Sequence, residues 1–499
     1  MGLTINNRFL IFWSILGAVG FILIWNLPWR FQVNDDEVMM WLVSGDYTGK
    51  PEWFAVFLHP VLSWIFSLLY KSFSGIPWYA YTWIFIMFSS FVFLIYLIEK
   101  QFGRGLFAYA WALFLFGFYI HFLFFMQFSI VAGMAVFAGL AGRLNGEFNS
   151  QPKFTFKTSD IFILIGFLVR PEVLFLFLAG LGVFNLLVIR QKHFFRNAIP
   201  PLIILVIGLL IGQLWIQSKG LSEFQSHNRL RSQVFDHPVL QLDKEAIKET
   251  HPELYYFANG LIDFQRDPGL LDNLKAWKLY LDQKRWEWIS LDALWTSFAT
   301  YVEHENFLIG LMLTFALFSF SINRKKTTLL LFGLLLFLAV LSPFYLLKVQ
   351  IYALVMLLFM LLSFCFIKLK TVSKGTSAGF ALVLTVGITV HFYSFFHSSI
   401  NRIPAENLKE ELDRLKQGGY HEVYLIGGGN LYSNLVFDHS GRFKILGWPT
   451  LLEMTRGEVP KEPSAFLVDS VTYSHNMRYF EMKESHNSQT GLILLTPKK

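Results

Sequence analysis

Three consecutive carboxylates stand in Val33-Asn34-Asp35-Asp36-Glu37, shortly after the first strongly apolar stretch of the chain. Neighbouring acids repel one another. Crowding of this kind raises one pKa enough to make a general base, or gathers enough charge to hold a divalent cation. The competing use is an N-cap: Asp35 or Asp36 would cap a short helix over 36–44 whose Met39, Met40, Trp41 and Leu42 lie against a bilayer. Three acids exceed what one cap needs. Asp35 and Asp36 are therefore the candidate catalytic residues and the candidate metal ligands, with Glu37 as a substrate contact. Ser44-Gly45-Asp46-Tyr47-Thr48-Gly49-Lys50-Pro51 follows, a loop whose glycines permit tight turns. In Phe57-Leu58-His59-Pro60, His59 is either a proton shuttle and phosphate donor or a helix-start residue.

A second candidate is Leu168-Val169-Arg170-Pro171-Glu172, inside the apolar run 161–189. That run is long for one untilted span, and a central proline breaks or kinks a helix. Ionisable side chains in hydrocarbon are expensive and mark function more often than structure. Self-satisfaction by an ion pair is the alternative, but residues two apart on a regular helix point away from each other. The break is expected to bring Arg170 to the outer surface between two half-helices, with Glu172 beside it. There a guanidinium suits a phosphate or diphosphate. Gln127, between His121 and Ser129 at a turn joining two spans, lines a cavity or satisfies local backbone. Beyond the apolar stretch 198–216, Glu223, His227, Asn228, Arg229, Arg231, Asp236 and His237 crowd together. His227, Asn228, Arg229 and Arg231 are candidates for substrate binding, or for headgroup contact. Tyr255, Tyr256, Trp277, Trp286, Trp288 and Trp295 either anchor helices at the interface or stack on sugar rings. His237-Pro238 and His251-Pro252 carry too little specificity to support zinc.

The elements that must position these groups follow from composition. Of 499 residues, 54% are hydrophobic and 15% charged, against roughly 25% charged in an average soluble domain. Mean hydropathy is +0.46. One soluble globule and dispersed disorder are both excluded, since disordered chains are polar and poor in aromatics. The fold class is an all-α polytopic membrane protein with 10 to 12 transmembrane helices and a small C-terminal α/β domain. Apolar stretches fall at 9–29, 54–70, 78–98, 105–125, 127–142, 161–189, 198–216, 306–322, 327–345, 348–367 and 377–393. The first is read as a true helix rather than a cleaved signal, because it lacks a small-residue cleavage site and further spans follow. Parity requires that 54–70 lie along or partly into the membrane, or that another helix be broken. Basic turns at Asn323-Arg324-Lys325-Lys326, Lys368 to Lys374, and Arg190, Lys192 and Arg196 place those ends in the cytoplasm. The loop 30–53, the helical insert 217–305 and the domain 394–499 then share the outer side, leaving 1–393 as the transmembrane domain. In the tail, Ala405 to Gln417 reads as a helix, Glu422 to Ile426 and Gly491 to Thr496 as strands. Gly427-Gly428-Gly429-Asn430 reads as a strand-to-helix turn, since it lacks the spacing of a nucleotide-binding loop. The +7 charge reflects cytoplasmic loops, not nucleic acid. Cys365 is alone, so no intrachain disulfide forms, and it reads as a small buried hydrophobe.

An acidic motif after the first transmembrane helix, many spans and a terminal outer domain together resemble the GT-C superfamily, the integral-membrane glycosyltransferases that use lipid-phosphate-linked sugars. The resemblance covers roughly residues 1–393. It implies that Asp35 or Asp36, in Asn34-Asp35-Asp36-Glu37, is the catalytic base or helps bind a metal, Mg²⁺ or Mn²⁺, which the cluster permits without requiring. Arg170 with Glu172 would resemble the lipid-phosphate-binding groups of such enzymes. The implied donor is a polyprenyl-phosphate-linked sugar, and the acceptor a hydroxyl of a glycan, lipid or protein. The WWD-type signature of oligosaccharyltransferases is missing, which argues against protein N-glycosylation. The expected setting is a bacterial inner membrane with the site facing the periplasm, serving cell-envelope polysaccharide biosynthesis. The rivals are a polysaccharide polymerase or ligase, suggested by the 217–305 insert, and a lipid-linked substrate transporter, disfavoured because hydropathy shows no inverted repeat. A noncatalytic membrane scaffold is the last alternative. Convergence of the acidic cluster and Arg170 on one cleft would favour an enzyme.

Overall fold

The computed structural model describes residues 8–27, 31–145, 157–186, 194–259, 262, 264, 267, 269–303, 305–366, 372–399, 405–426, 443–458, 463–469, 473, 480–484 and 492–497. The glycine run 427–430 and the basic residues Lys153, Arg190, Lys192 and Lys368 lie outside them. The membrane part comprises α1 (Arg8–Trp25), α2 (Asn34–Ser44), α3 (Pro60–Ser72), α4 (Trp78–Phe102), α5 (Leu106–Phe124), α6 (Phe128–Asn145), α7 (Thr158–Val169), α8 (Pro171–Phe184) and α9 (Phe194–Ser218). A helical insert follows: α10 (Ser222–Phe235), α11 (Pro238–Leu242), α12 (Lys244–Lys248), α13 (Pro252–Ala258), α14 (Leu270–Trp288) and α15 (Leu291–Ala299). The chain returns through α16 (Asn306–Ile322), α17 (Arg324–Leu341), α18 (Val349–Phe366) and α19 (Lys374–Ser399).

Five of these helices, α1, α4, α5, α9 and α19, are long and apolar enough to cross a bilayer. The shorter α6, α7, α8, α16 and α18 are equally apolar, and α17 continues as an apolar helix after Arg324-Lys325-Lys326. Large apolar side chains face outward along α1, α9, α17 and α19, as a lipid environment allows and water does not. Helix α3 has 13 residues, about 20 Å of helix against the ~30 Å of hydrocarbon. By length it falls short of a span, in keeping with a segment that lies along or partly into the membrane. The run 161–189 is broken where expected: Arg170 is extended (φ −155°, ψ 101°), and Pro171 opens α8, where its missing N–H costs nothing.

The bundle centre is α6, which packs on α4, α7, α8 and α18. Glycines let α6 and α7 approach closely. A Cβ on Gly139 would stand 2.5 Å from Ile163, and one on Gly166 2.6 Å from Val136, the small-residue contact by which helices associate in membranes. At the far end of α6, Arg143 makes a two-oxygen ion pair with Asp160 of α7 (2.7 and 2.8 Å) and donates from Nε to the Asn197 carbonyl of α9 (3.0 Å). Both partners are buried, so neither charge is left alone. Arg143 is thus an internal clamp joining α6, α7 and α9.

The C-terminal domain contains α20 (Ala405–Gln417), β1 (Glu422–Ile426), β2 (Lys444–Ile445), α21 (Trp448–Thr455), β3 (Ser464–Asp469), β4 (Phe480–Glu484) and β5 (Leu492–Pro497). Its sheet runs β2-β1-β3-β5-β4, with β1 parallel to β2 and β3, and β5 antiparallel to β3 and β4. Tyr424, Ile426, Phe466, Val468, Ile493 and Leu495 bury one face.

The domain docks on the loop after α2. Arg456 pairs with Glu52 at 3.0 Å, Tyr47 Oη donates to the Ile445 carbonyl at 3.3 Å, and Trp41 meets Phe443 edge-on at 5.0 Å. That loop is set by Gly45, the left-handed C-cap of α2 (φ 93°), whose N–H bonds the Trp41 carbonyl at 3.1 Å. A Cβ there would lie 2.6 Å from the Lys50 carbonyl carbon. Gly45→Ala is expected to cost about 1–3 kcal/mol through backbone strain, read as a lowered thermal midpoint of the detergent-solubilised protein. Gly49→Ala, whose Cβ meets nothing within 4 Å, is expected to cost less.

Candidate active site

The site grows from the first turn of α2. Consecutive residues on a helix are about 100° apart, so Asp35 and Asp36 cannot face the same way. Asp36 points inward and is fully buried. Its Oδ1 accepts from Tyr79 Oη (2.8 Å) and Trp83 Nε1 (3.0 Å), both on α4. The backbone N–H of Phe128, the first residue of α6, lies 3.2 and 3.1 Å from its two oxygens. The carboxylate therefore caps a helix N-terminus supplied by another element. Burial pushes its pKa up to about 7, against the pull of the Trp83, Tyr79 and Phe128 donors and with a smaller push from Asp35.

Asp35 faces a cavity of about 1140 Å³. Its Oδ1 accepts from Trp448 Nε1 at 3.0 Å, a bond from the start of α21 to the start of α2. The Trp448 ring also meets Phe57 edge-on at 5.4 Å. Burial raises the Asp35 pKa above the usual carboxylate value; Arg231, the Trp448 hydrogen bond and Lys348 pull it down, and Asp236 adds a small push upward. Arg231, on α10, is buried and held by Nε donating to Asn228 Oδ1 at 2.9 Å. Burial lowers its pKa while Asp236 and Asp35 raise it, and a guanidinium stays protonated under such opposition. Lys348, just before α18, pairs with Asp236 at 2.7 Å.

Of the residues expected from sequence, Asp35, Glu37, Gln127, Arg170 and Arg231 line this one cavity. Arg170 lies over the Phe128 ring at 4.6 Å. It also comes within 3.7 Å of Glu172, because the helix break removes the divergence that a regular helix imposes on residues two apart. Glu172 itself is exposed and lies off the cavity wall. Gln127 donates to Gln32, another wall residue. Asp36, His59, His227, Asn228 and Arg229 do not line the cavity. His59 caps α3 through Nδ1, which accepts from Val61 N (3.3 Å), and its Nε2 meets the Gly208 carbonyl at 3.0 Å. Both nitrogens are occupied by backbone, the behaviour of a helix-start residue. Asn228 acts through Arg231, and Arg229 is exposed.

The wall also holds residues the sequence reading did not single out: Trp448, Lys348, Lys278, Asp282 and Arg285. Lys348, at the head of an apolar run, carries the same signal as Arg170 and was legible. Trp448, 413 residues from its partner, carries none. On the insert side, Arg285 pairs with Asp282 at 2.7 Å and approaches His237 Nε2 at 2.7 Å. Burial and then Arg285 push the His237 pKa down to about 4, so its ring is neutral and Nε2 accepts.

The acid pair does not form a ready-made metal centre. The Asp36 oxygens are taken by protein donors, Asp35 Oδ1 accepts from Trp448, and no group of three metal-ligating side chains occurs among the described residues. Mg²⁺ commonly takes one or two carboxylates and fills its shell with waters and substrate phosphates, so Asp35 is the acid of the pair that could reach one.

No protein-family model matches the sequence, and no curated protein matches it. Among solved structures, the chain is similar to ArnT from Cupriavidus metallidurans bound to undecaprenyl phosphate, with 10% identity, 98% of each chain covered and a TM-score of 0.47. It is also similar to ArnT from the same organism in the apo state, with 13% identity, 97% of this chain and 98% of that one covered, and a TM-score of 0.43. Likeness of this degree carries no functional weight.

Asp36→Ala would leave the Tyr79, Trp83 and Phe128 donors buried without an acceptor, at about 1–3 kcal/mol each. Thermal unfolding in detergent is expected to show a large loss for Asp36→Ala. Asp35→Asn, which disturbs one hydrogen bond, is expected to cost under about 1.5 kcal/mol.

Proposed function

We propose that this protein is a GT-C-type membrane glycosyltransferase that moves a sugar from a polyprenyl-phosphate donor to a hydroxyl acceptor. The observation that carries the reading is that Asp35, acted on by Arg231 and Lys348, shares with Arg170 a single cavity walled by the membrane helices, the insert and the C-terminal domain. This is the charge layout that displacement at an anomeric carbon requires. Asp35 takes the proton of the acceptor hydroxyl, and the acceptor oxygen bonds to the anomeric carbon. The bond from that carbon to the phosphate oxygen breaks, and its electron pair leaves on the lipid phosphate. Arg231, with Lys348 and Arg170, neutralises the charge gathering there. A phosphate so neutralised is a competent leaving group, and no general acid is needed. Asp36 takes no part in proton transfer and holds α2 in place. The site faces the outer side of the membrane, opposite the basic start of α17.

The size of the cavity and the charged side chains that the insert contributes to it favour a second reading within the same chemistry, a polymerase or ligase that transfers a larger lipid-linked glycan. The convergence of Asp35 and Arg170 on one wall argues for chemistry over a dispersed scaffold.

The test is turnover of a panel of polyprenyl-phosphate sugars, and of lipid-linked oligosaccharides, by the purified protein. Asp35→Asn is expected to lower kcat by about 10²–10⁴-fold, with the protein still folded. Unchanged turnover in that variant would remove Asp35 from the mechanism.

The pH dependence gives a second check. The acid limb of kcat/KM reports the Asp35 carboxyl and is expected above the ordinary value of about 3.9. Lys348→Met and Trp448→Phe each remove a group that lowers the Asp35 pKa, so each is expected to move that limb to higher pH. A limb that stays in place in both variants would assign it to another group.

A further inference from the structure

The corner between α14 and α15 turns large apolar side chains outward. Trp286 is 67% exposed, Leu291 84% and Trp295 73%. The corner is nevertheless firmly seated. Leu274 and Leu281 of α14 and Ala293 and Ser297 of α15 are buried, and Tyr352 Oη of α18 reaches the Ser297 and Phe298 carbonyls, each at 3.1 Å. Ser290 closes the turn by accepting from the Ala293 N–H at 3.1 Å. A rigid element that points tryptophan and leucine into water is costly, so this face has an occupant.

Its neighbour identifies the occupant. Trp286 meets Phe344 edge-on at 6.1 Å. Phe344 and Tyr345 lie just past the end of α17, whose Phe332, Leu335, Leu336 and Val340 are outward-facing along its length. The exposed face of the corner thus continues the apolar belt of a membrane helix, at the end opposite Arg324-Lys325-Lys326. Tryptophans flanked by the surface pair Lys284–Glu287 match the mixed chemistry of the headgroup boundary, where aromatic rings sit half in apolar and half in wet surroundings. On their inner side, Arg285, Phe344 and Tyr345 line the catalytic cavity. We propose that the α14–α15 corner sits in the membrane interface and forms the sill over which a lipid-linked donor passes sideways from the bilayer into the cavity. The bilayer contact stands on the exposed face alone; its use as a sill rests on the glycosyltransferase reading.

The lone cysteine makes the test direct. In a Cys365→Ala background, single cysteines replace Leu291, Trp295, Leu335 and Lys275. Each carries a bimane fluorophore in nanodiscs of phosphatidylcholine and phosphatidylglycerol, and each labelled protein is checked for monodispersity. Nitroxide on the lipid acyl chain is expected to quench the labels at 291 and 295 at least twofold, as it does the lipid-facing 335. The label at 275, where the native side chain is 65% exposed, is expected to be quenched by aqueous iodide. Quenching of 291 and 295 by iodide but not by lipid nitroxide would overturn the proposal. Protection from both would assign the face to a second copy of the chain, and would overturn it equally.

The sill is tested separately with a Leu291→Asp, Trp295→Asp double variant. KM for a long-chain donor is expected to rise at least fivefold, while a short-chain, water-soluble donor is turned over as by the unaltered protein. Equal effects on both donors would refute the sill with the bilayer contact intact. If the unaltered protein turns over neither donor, the glycosyltransferase reading falls, and the quenching result is untouched.

Discussion

The structure around the site depends on one buried carboxylate. Asp36 is the acceptor for a phenol, an indole and a helix N-terminus that come from two different helices, α4 and α6. A charge so deep in apolar surroundings is tolerated only because its oxygens meet donors already held in place by the bundle. That constraint fixes the rotation of α2, and the helical period then fixes where Asp35 points. Two adjacent acids thereby acquire different surroundings from the same local sequence. Asp36 is buried among protein donors, and Asp35 is part-buried on a cavity wall.

The same logic extends outward from Asp35. Its indole partner comes from the C-terminal domain and its cations from the insert and from the head of α18. Neither the membrane bundle nor the tail owns the site, which exists only where the two meet. Docking is carried by a small set of contacts: the Arg456–Glu52 pair, the Tyr47 hydroxyl on a strand carbonyl, and the Trp41–Phe443 edge. Gly45 shapes the loop that receives them. The terminal domain therefore supplies part of the cavity wall and the Trp448 indole bonded to Asp35.

Helix breaks do comparable work inside the bundle. Pro171 cannot continue α7, and Arg170 is left extended between two half-helices with its guanidinium over an aromatic face on the cavity wall. Irregular backbone at this depth is tolerated because it faces a polar cavity rather than lipid. The cost of placing an arginine there is reduced by the Phe128 ring and by Glu172.

The sequence by itself determined the features written locally. Hydropathy identified a membrane protein, proline placed the break at Arg170, and a helical pattern rich in Glu, Lys and Leu marked α20 while short apolar runs marked β1 and β5 in the tail. The acidic cluster stood out because three adjacent carboxylates exceed local needs. Which acid does what was not legible, since an isolated stretch of helix gives no reference for its own rotation; only Tyr79, Trp83 and Phe128, brought from elsewhere, set it. His59 was ambiguous for the same reason, and the neighbouring Gly208 carbonyl decided it. The pairing of Trp448 with Asp35, and the meeting of Arg231 and Lys348 in one cavity, depend on contacts between distant parts of the chain. No periodicity or spacing encodes them, because the interactions that select them arise only when separately folded surfaces meet.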